Sequence, residues 1–262
     1  MPDTIIPPQL YLRDEHLPVP HGFFTRLGGV SPAPFDSLNG SLSSIDAPEH
    51  IAENRARIAR TLGVQPARFL GLKQTHSAIV HTIRADTPLW TTGRGPEGDA
   101  LVTDCPETAI STITADCGPL LLSSDDGHIV GAAHAGWRGA VGGVIEAVVT
   151  AMKAIGAHNI HAAVGPCIGK DVYETGPDMY DAVCTQDPER GPRFFRNAPR
   201  DGHFFFDLSG YCVDRLHAAG ATTVNSLDVD TLTDQRFFSH RRRTLAGGGH
   251  IGHQVSAIRP LK

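Results

Sequence analysis

Short apolar runs rich in Val, Ile, Leu and Thr, separated by turn residues, dominate the middle of the chain: 78–83, 100–103, 109–114, 119–123 and 128–134. Each has the length and the β-branched content of a strand, and a further strand is expected at 22–25. The gaps between the central runs are too short for helices, so at least part of their sheet is antiparallel. Helical spacing takes over elsewhere. Ile51, Ile58 and Leu62 share one face of a segment that Asp46 can cap, Pro48 can open and Gly63 can stop. The Ala/Val/Ile-rich stretch 139–155 reads as one helix, another lies near 177–184, and a fourth runs from a cap at Asp207 to a stop at Gly220. Strands at 160–164 and 222–227 complete the pattern, which predicts an α/β or α+β sandwich with a mixed sheet. No repeat, charge block or long linker divides the chain, so residues 1–262 are read as a single catalytic domain.

The run 119–123 connects to 128–134 through Ser124-Asp125-Asp126-Gly127, a hairpin signal. Centring the turn on Asp125 and Asp126 sets Cys117 opposite His134 at the same end of the hairpin, and a three-residue turn shifts the register by one. A thiol and an imidazole brought together are half of a soft metal site. His76, just before the strand at 78–83, is a candidate third ligand. Three protein ligands leave a fourth tetrahedral position for water, the arrangement of a catalytic zinc. The same residues also suit a plain reading, with Cys117 a small buried apolar residue and His134 a hydrogen-bonded strand end.

Charge and composition narrow the partners. Lys and Arg number 23 against 28 acidic residues, and the formal charge of -5 has the wrong sign for a general nucleic-acid or anionic-membrane binder. No apolar run reaches the roughly 18 residues of a membrane helix, and the longest, 140–152, is interrupted by Glu146. Met1-Pro2-Asp3-Thr4 lacks the features of a signal peptide, so a cytoplasmic location and a small-molecule substrate are expected. Five cysteines form no CxxC pair. Cys184 and Cys212 lie on apolar helix faces, whereas Cys167, in Gly165-Pro166-Cys167-Ile168-Gly169, is placed where a loop could deliver it to a site.

Lys73-Gln74-Thr75-His76, Thr114-Ala115-Asp116-Cys117-Gly118-Pro119, His134-Ala135-Gly136-Trp137-Arg138-Gly139 and the Gly-Pro-Cys-Ile-Gly string at 165–169 together resemble the YfiH family, also called the laccase-domain or multicopper polyphenol oxidase family. The likeness runs from Thr25 to Ser239. It implies a mixed α/β sandwich related to the bacterial deamidating-toxin fold and zinc held by His76, Cys117 and His134. The implied activity is zinc-dependent purine nucleoside chemistry: phosphorolysis, including that of methylthioadenosine, and adenosine deamination. The same resemblance carries two other descriptions, copper-dependent polyphenol oxidation and peptidoglycan-precursor editing. The chain departs from the family pattern at His240 and at His253, where relatives usually carry Tyr and Arg.

The residues weigh these chemistries unequally. Multicopper oxidation consumes many histidines in His-x-His pairs, and none of the 14 histidines here forms one. Copper remains an alternative occupant of a single Cys/His site, since it outranks zinc in affinity. Phosphorolysis needs an anion site near the ribose. Arg26, in a glycine-rich loop, and Arg138, before a helix expected to begin near Gly139, are the candidates, a surface ion pair being the plain alternative for each and a closer one for Arg138 than for Arg26. Gln74 and Cys167 join them as candidate substrate-binding residues. The run Arg241-Arg242-Arg243 reads as a solvated face with no role beyond phosphate attraction. Deamination needs a proton-carrying carboxylate, for which Asp99 and Asp116 are candidates. Asp99 is alternatively a turn cap and Asp116 alternatively a residue orienting a ligand histidine. A non-enzymatic zinc module is the remaining reading, and Cys167 as a fourth ligand would favour it. Histidine at 253, with an ordinary pKa near 6.5, would make any anion contact weaken as pH rises.

Overall fold

The structure, a computed structural model, describes residues 4–90 and 94–262, so the first three residues of the Met1-Pro2-Asp3-Thr4 segment lie outside it. Among the described residues, two six-stranded mixed sheets pack face to face. The first orders its strands β1 (Tyr11–Leu12), β2 (His21–Phe24), β15 (Gln254–Ile258), β7 (Ala109–Thr114), β3 (Phe69–Lys73) and β5 (Arg94–Glu97). The second runs β14 (Thr223–Ser226), β10 (His161–Val164), β8 (Gly118–Ser123), β9 (Val130–Ala135), β6 (Ala100–Thr103) and β4 (Val80–Ile83). A small third sheet joins β11 (Glu174–Thr175), β13 (Phe204–Phe206) and β12 (Phe195–Asn197). The helices are α1 (Pro48–Thr61), α2 (Trp137–Val141), α3 (Val144–Ala154), α4 (Pro177–Gln186), α5 (Leu208–Ala218) and α6 (His240–Leu245).

Strand alternation sorts the core into layers. Leu121, Val130 and Ala132 of the second sheet meet Leu70, Ile110 and Ile258 of the first. Their neighbours Leu120 and Leu122 point the other way, against Val148 and Met152 of α3 and Leu216 of α5. On the far side, Ile58 and Ala59 of α1 cover Phe69 and Val255. The order is therefore helix, sheet, sheet, helices: the mixed-sheet α/β sandwich expected from the strand and helix pattern.

Two local expectations are corrected. The stretch 139–155 is not one helix: α2 ends at Gly142 and α3 starts after Gly143, whose φ of 96° lies where only glycine is comfortable. Asp46 does not cap α1. Ala47 occupies the cap position, and the Asp46 carboxylate accepts hydrogen bonds from Ser31, Asn39 and the Ala47 N–H. The buried face of α1 also carries two polar side chains with work to do outside the helix. Asn54 binds the backbone at Val30, Ser37 and Asn39, and Arg55 donates to the carbonyls of Gly40 and Phe69. These bonds hold the loop whose serines 41, 43 and 44 form one wall of the cavity described next.

Candidate metal centre

Pro119, not Cys117, stands opposite His134 in the β8–β9 ladder. The turn is longer than the sequence predicts, because Ser124 N–H donates to Ile129 O and leaves residues 125–128 as the loop. Gly127 takes φ 73° there, and the Asp126 carboxylate accepts from His128 N–H and the Ser124 hydroxyl. The shift amounts to two residues. Because side chains alternate with period two, Cys117 and His134 stay on the same face, related diagonally instead of directly.

His76 arrives, exposed and at φ 60°, from the loop between β3 and β4. The ligand atoms of His76, Cys117 and His134 lie within 4.8 Å of one another, and Cys117 Sγ is 3.9 Å from His76 Nε2. The two imidazoles meet edge to face with centroids 4.7 Å apart. Gly136 closes the floor, where a Cβ would stand 2.5 Å from His76 Cδ2 and 3.0 Å from Cys117 Sγ. Only glycine leaves the donors room to converge.

Asp99 organises two of the three donors. It is the residue before β6, and the β6–β9 register carries it directly opposite His134. His134 N–H donates to Asp99 O, and His134 Nδ1 lies 2.8 Å from Asp99 Oδ1. The same carboxylate accepts the backbone N–H groups of Thr75, His76 and Ser77 and the hydroxyls of Thr75 and Ser77. One buried side chain thus folds the loop that carries His76 and fixes the His134 tautomer with Nε2 free for a metal. Asp99 is therefore placed behind the donors, its oxygens fully engaged, and does not face the cavity as a proton carrier would.

The electrostatics match. Burial works against the Cys117 thiolate, yet the His134 charge and hydrogen bonds from both imidazoles bring the thiol down to about 6. Burial likewise opposes charge on His134, but the thiolate and the Asp99 carboxylate raise it to about 9. Asp99 pays a burial penalty as well, outweighed by His134 and Ser77, which hold it far below the usual carboxylate range. A thiolate, two imidazoles and a carboxylate oriented behind one of them form a donor set that suits zinc or copper.

The trio opens into a cavity of about 530 Å³, within the usual range for small-molecule sites. Gln74 lines it, but its amide is tied to β7, accepting from Ile113 N–H and the Thr112 hydroxyl and donating to Ile113 O. Asp116, at φ 92°, lines it too, accepting from the Thr231 hydroxyl and Arg241 N–H at 2.6 Å each. Both of its oxygens serve to join β8 to the segment before α6 and to α6 itself. Arg241 is a cationic side chain of this wall, its guanidinium 5.5 Å above the Tyr173 ring and donating to Glu174 O.

The arginines sequence reasoning favoured stand elsewhere. Arg26 pairs with Asp36 at 2.7 Å and lines a separate cleft with Arg242 and Arg243. Arg138 is exposed and stacked over Trp137 at 4.4 Å, on a helix that starts at Trp137, two residues earlier than expected, and is only five residues long. Cys167 is buried and lines a neighbouring cavity beyond the loop 165–169. It is not one of the three converging donors. The run 241–243 is not a plain solvated face. Arg241 enters the cavity, Arg242 binds the carbonyls of Thr231, Leu232 and Phe237, and Arg243 binds His240. The overlooked signal was Ser239, whose hydroxyl accepts from Arg242 N–H as a helix cap.

His253 also lines the cavity, but not as the near-neutral switch its type implies. Burial first, then the charges of His134, His240 and Arg243, lower it to about 4, so it stays neutral between pH 6 and 8. An unfolded histidine titrates near 6.5. Stability contributed by the neutral form is therefore fully present above that pH and is lost as pH falls toward 4. The urea midpoint is expected to drop across this window and to drop less in His253→Gln. Parallel curves for the two proteins would remove His253 as the cause.

A protein of Deinococcus radiodurans named purine nucleoside phosphorylase is 41% identical over 243 residues, spanning 88% of this chain and 87% of its own length. The crystal structure of a Neisseria meningitidis protein of the domain family DUF152 superposes with a TM-score of 0.83 at 33% identity, covering 97% of this chain and 100% of that one. YlmD from Geobacillus stearothermophilus gives 0.86 at 27% identity over 99% of each. Residues 20–260 match the family described as multi-copper polyphenol oxidoreductase laccase. The shared fold and this nearly full-length match establish that the chain belongs to that laccase-like, YfiH-type family.

Proposed function

We propose that this chain is a zinc-dependent purine nucleoside phosphorylase. The observation that carries the reading is that a Cys/His donor trio and the Arg241 guanidinium share one cavity of ligand size. The names of the relatives support it. In phosphorolysis a phosphate oxygen bonds to C1′ of the ribose while the bond from C1′ to the purine nitrogen breaks and its electron pair leaves with the base. Arg241 supplies a fixed charge and a planar donor fork for the phosphate. Asp116 holds Arg241 through its backbone, and Trp137, Leu72 and Ile113 give the cavity apolar walls for the purine. Zinc, when bound by His76, Cys117 and His134, supplies Lewis-acid polarisation and an activated water.

Cleavage of methylthioadenosine and deamination of adenosine are further activities proposed for the same cavity. Deamination requires a proton carrier facing the substrate. With Asp99 and Asp116 committed to hydrogen bonds, the titratable side chains outside the donor trio that line the cavity are His240, His253 and Tyr173, besides the Arg241 guanidinium. Polyphenol oxidation by a multicopper centre finds less support, because the described residues bring together one three-donor group and no array of histidines.

The test is to load the protein with zinc or copper, incubate it with inosine, guanosine, adenosine and methylthioadenosine with and without phosphate, and separate the products. Free base and ribose 1-phosphate are expected only with phosphate, with inosine from adenosine measured separately. Release of free base without phosphate, or oxidation of a phenol by the copper form without any base release, would overturn the reading.

A further inference from the structure

The loop that leads into α1 presents three serines to the cavity: Ser41, Ser43 and Ser44. Ser41 is only 2% exposed, and its hydroxyl has no hydrogen-bond partner among the described residues. That hydroxyl is not among the enclosed orphan atoms, so it is open on the side of the cavity that Ser41 lines. The hydroxyl of the exposed Ser43 is unpartnered too. Ser44 Oγ accepts from the Asn39 side-chain amide and from Asp46 N–H. With both lone pairs engaged, what Ser44 has left to offer is its proton.

The backbone of the loop is fixed from behind. Gly40 N–H donates to His253 O, Ser41 N–H to Asn39 Oδ1 and Ser44 N–H to Ser41 O. Under it lies the buried Arg55, which donates to Gly40 O and Phe69 O and forms no ion pair among the described residues. Burial lowers this guanidinium to about 10, so it keeps its charge at neutral pH. Carbonyl oxygens solvate that charge without neutralising it, and a buried charge without a counter-ion is costly. The carboxylate bonded to the loop, Asp46, does not line the cavity. Its oxygens accept from Ser31, Asn39 and Ala47 N–H.

We infer that this serine loop is the second half of the phosphate site, a wall of neutral donors that completes the shell begun by Arg241. This rests on the phosphorolysis reading above and deepens it by naming what meets the phosphate besides α6. Arg241 spends one of its N–H groups on Glu174 O, and a phosphate carries more lone pairs than one guanidinium can fill. The chemistry of the loop decides between ligand parts. A ribose hydroxyl donates and accepts equally, so it gains nothing from the charge of Arg55 and has no special need of a hydroxyl that can only donate. A phosphate only accepts and is negative, so it gains from both.

The experiment compares the zinc-loaded wild type with Ser41→Ala, Ser43→Ala and the double variant. Each is titrated with inorganic phosphate in a calorimeter and assayed for base release from inosine, with one substrate varied while the other is saturating. Ser43→Thr serves as the conservative rescue. Neither hydroxyl ties the loop to the rest of the fold, so melting temperatures are expected to stay level. Ser41→Ala is expected to weaken phosphate binding and raise the KM for phosphate about 10-fold, and the exposed Ser43→Ala about threefold. The KM for inosine is expected to change less than about twofold, and Ser43→Thr is expected to match the wild type. An unchanged KM for phosphate in the double variant would overturn the donor wall and leave the phosphorylase reading standing. A raised KM for inosine with phosphate untouched would assign the loop to the sugar, and a falling melting temperature with equal losses for both substrates would reduce the serines to structural groups; either result overturns the wall. A wild type that binds phosphate, more weakly in the variants, yet releases no base would overturn the phosphorylase reading and leave the wall standing. A wild type that neither binds phosphate nor releases base would overturn both.

Discussion

Cys117→Ala is expected to abolish both metal binding and nucleoside turnover while leaving the protein folded. The thiolate is the only anionic member of the donor trio, and its removal leaves two imidazoles, one of them exposed at the mouth of the cavity. Stability should change little. Cys117 is half-buried, precedes β8 instead of lying within it, and packs against an open cavity. Its Sγ also makes no hydrogen bond that the fold needs, its neighbours being the other two donors. Metal content by elemental mass spectrometry should fall to the background of a chelator-treated control, and phosphate-dependent base release should fall with it, by at least about 100-fold, the scale of losing a group on which the chemistry depends. Cys117→Ser should lie close to Ala, because a neutral hydroxyl is a poor ligand for a soft metal. A Cys117→Ala protein that lacks metal yet keeps full turnover would separate the metal from the chemistry.

The trio was legible in the sequence for a reason that also explains what was not. Alternation along a strand is a local property, so the expected hairpin put Cys117 and His134 on one face even though its register was off by two residues. The strands at Ala100–Thr103 and Ala109–Thr114 and the helix capped by Asp207 likewise carry their instructions in their own residues. Roles set by distant partners left weaker traces. Nothing near Asp116 announces that it will hold Thr231 and Arg241, respectively 115 and 125 residues away. Arg241 looked like one of three surface arginines because its place depends on that bond. Arg26 looked like a ligand because its loop is rich in glycine, but that loop serves an ion pair with Asp36 beside another cleft. The helix break at Gly142–Gly143 was readable in principle. Its consequence, Trp137 over the cavity and Arg138 outside it, was not, since it follows from where β9 delivers the chain.

Asp99→Asn is expected to do the widest damage of any single isosteric change near the site. The carboxylate accepts from six donors: Oδ1 faces His134 Nδ1 and His76 N–H, and Oδ2 faces Thr75 and Ser77 through both backbone and hydroxyl. An asparagine amide must turn its NH₂ toward one of these sets. If it replaces Oδ1, it confronts the His134 ring and favours the tautomer whose Nε2 carries the proton and is closed to metal. If it replaces Oδ2, it confronts the N–H groups that shape the loop carrying His76. Either orientation disrupts a metal ligand without touching one. Such orienting partners typically cost 10–100-fold in metal affinity when removed, and breaking a buried charged pair costs about 3–5 kcal/mol of stability. Competition titration against a chromogenic chelator and urea unfolding at pH 7 should therefore both register the change, in contrast to Cys117→Ala, which should affect the first far more than the second. Asp99→Glu should not rescue either property, because the added methylene has no space at a fully enclosed position whose side chain is 0% exposed. Were Asp99→Asn to unfold at the wild-type urea concentration and hold metal as tightly, the two histidines would be positioned by the strands and the loop alone, and the carboxylate would be only a passive neighbour of His134.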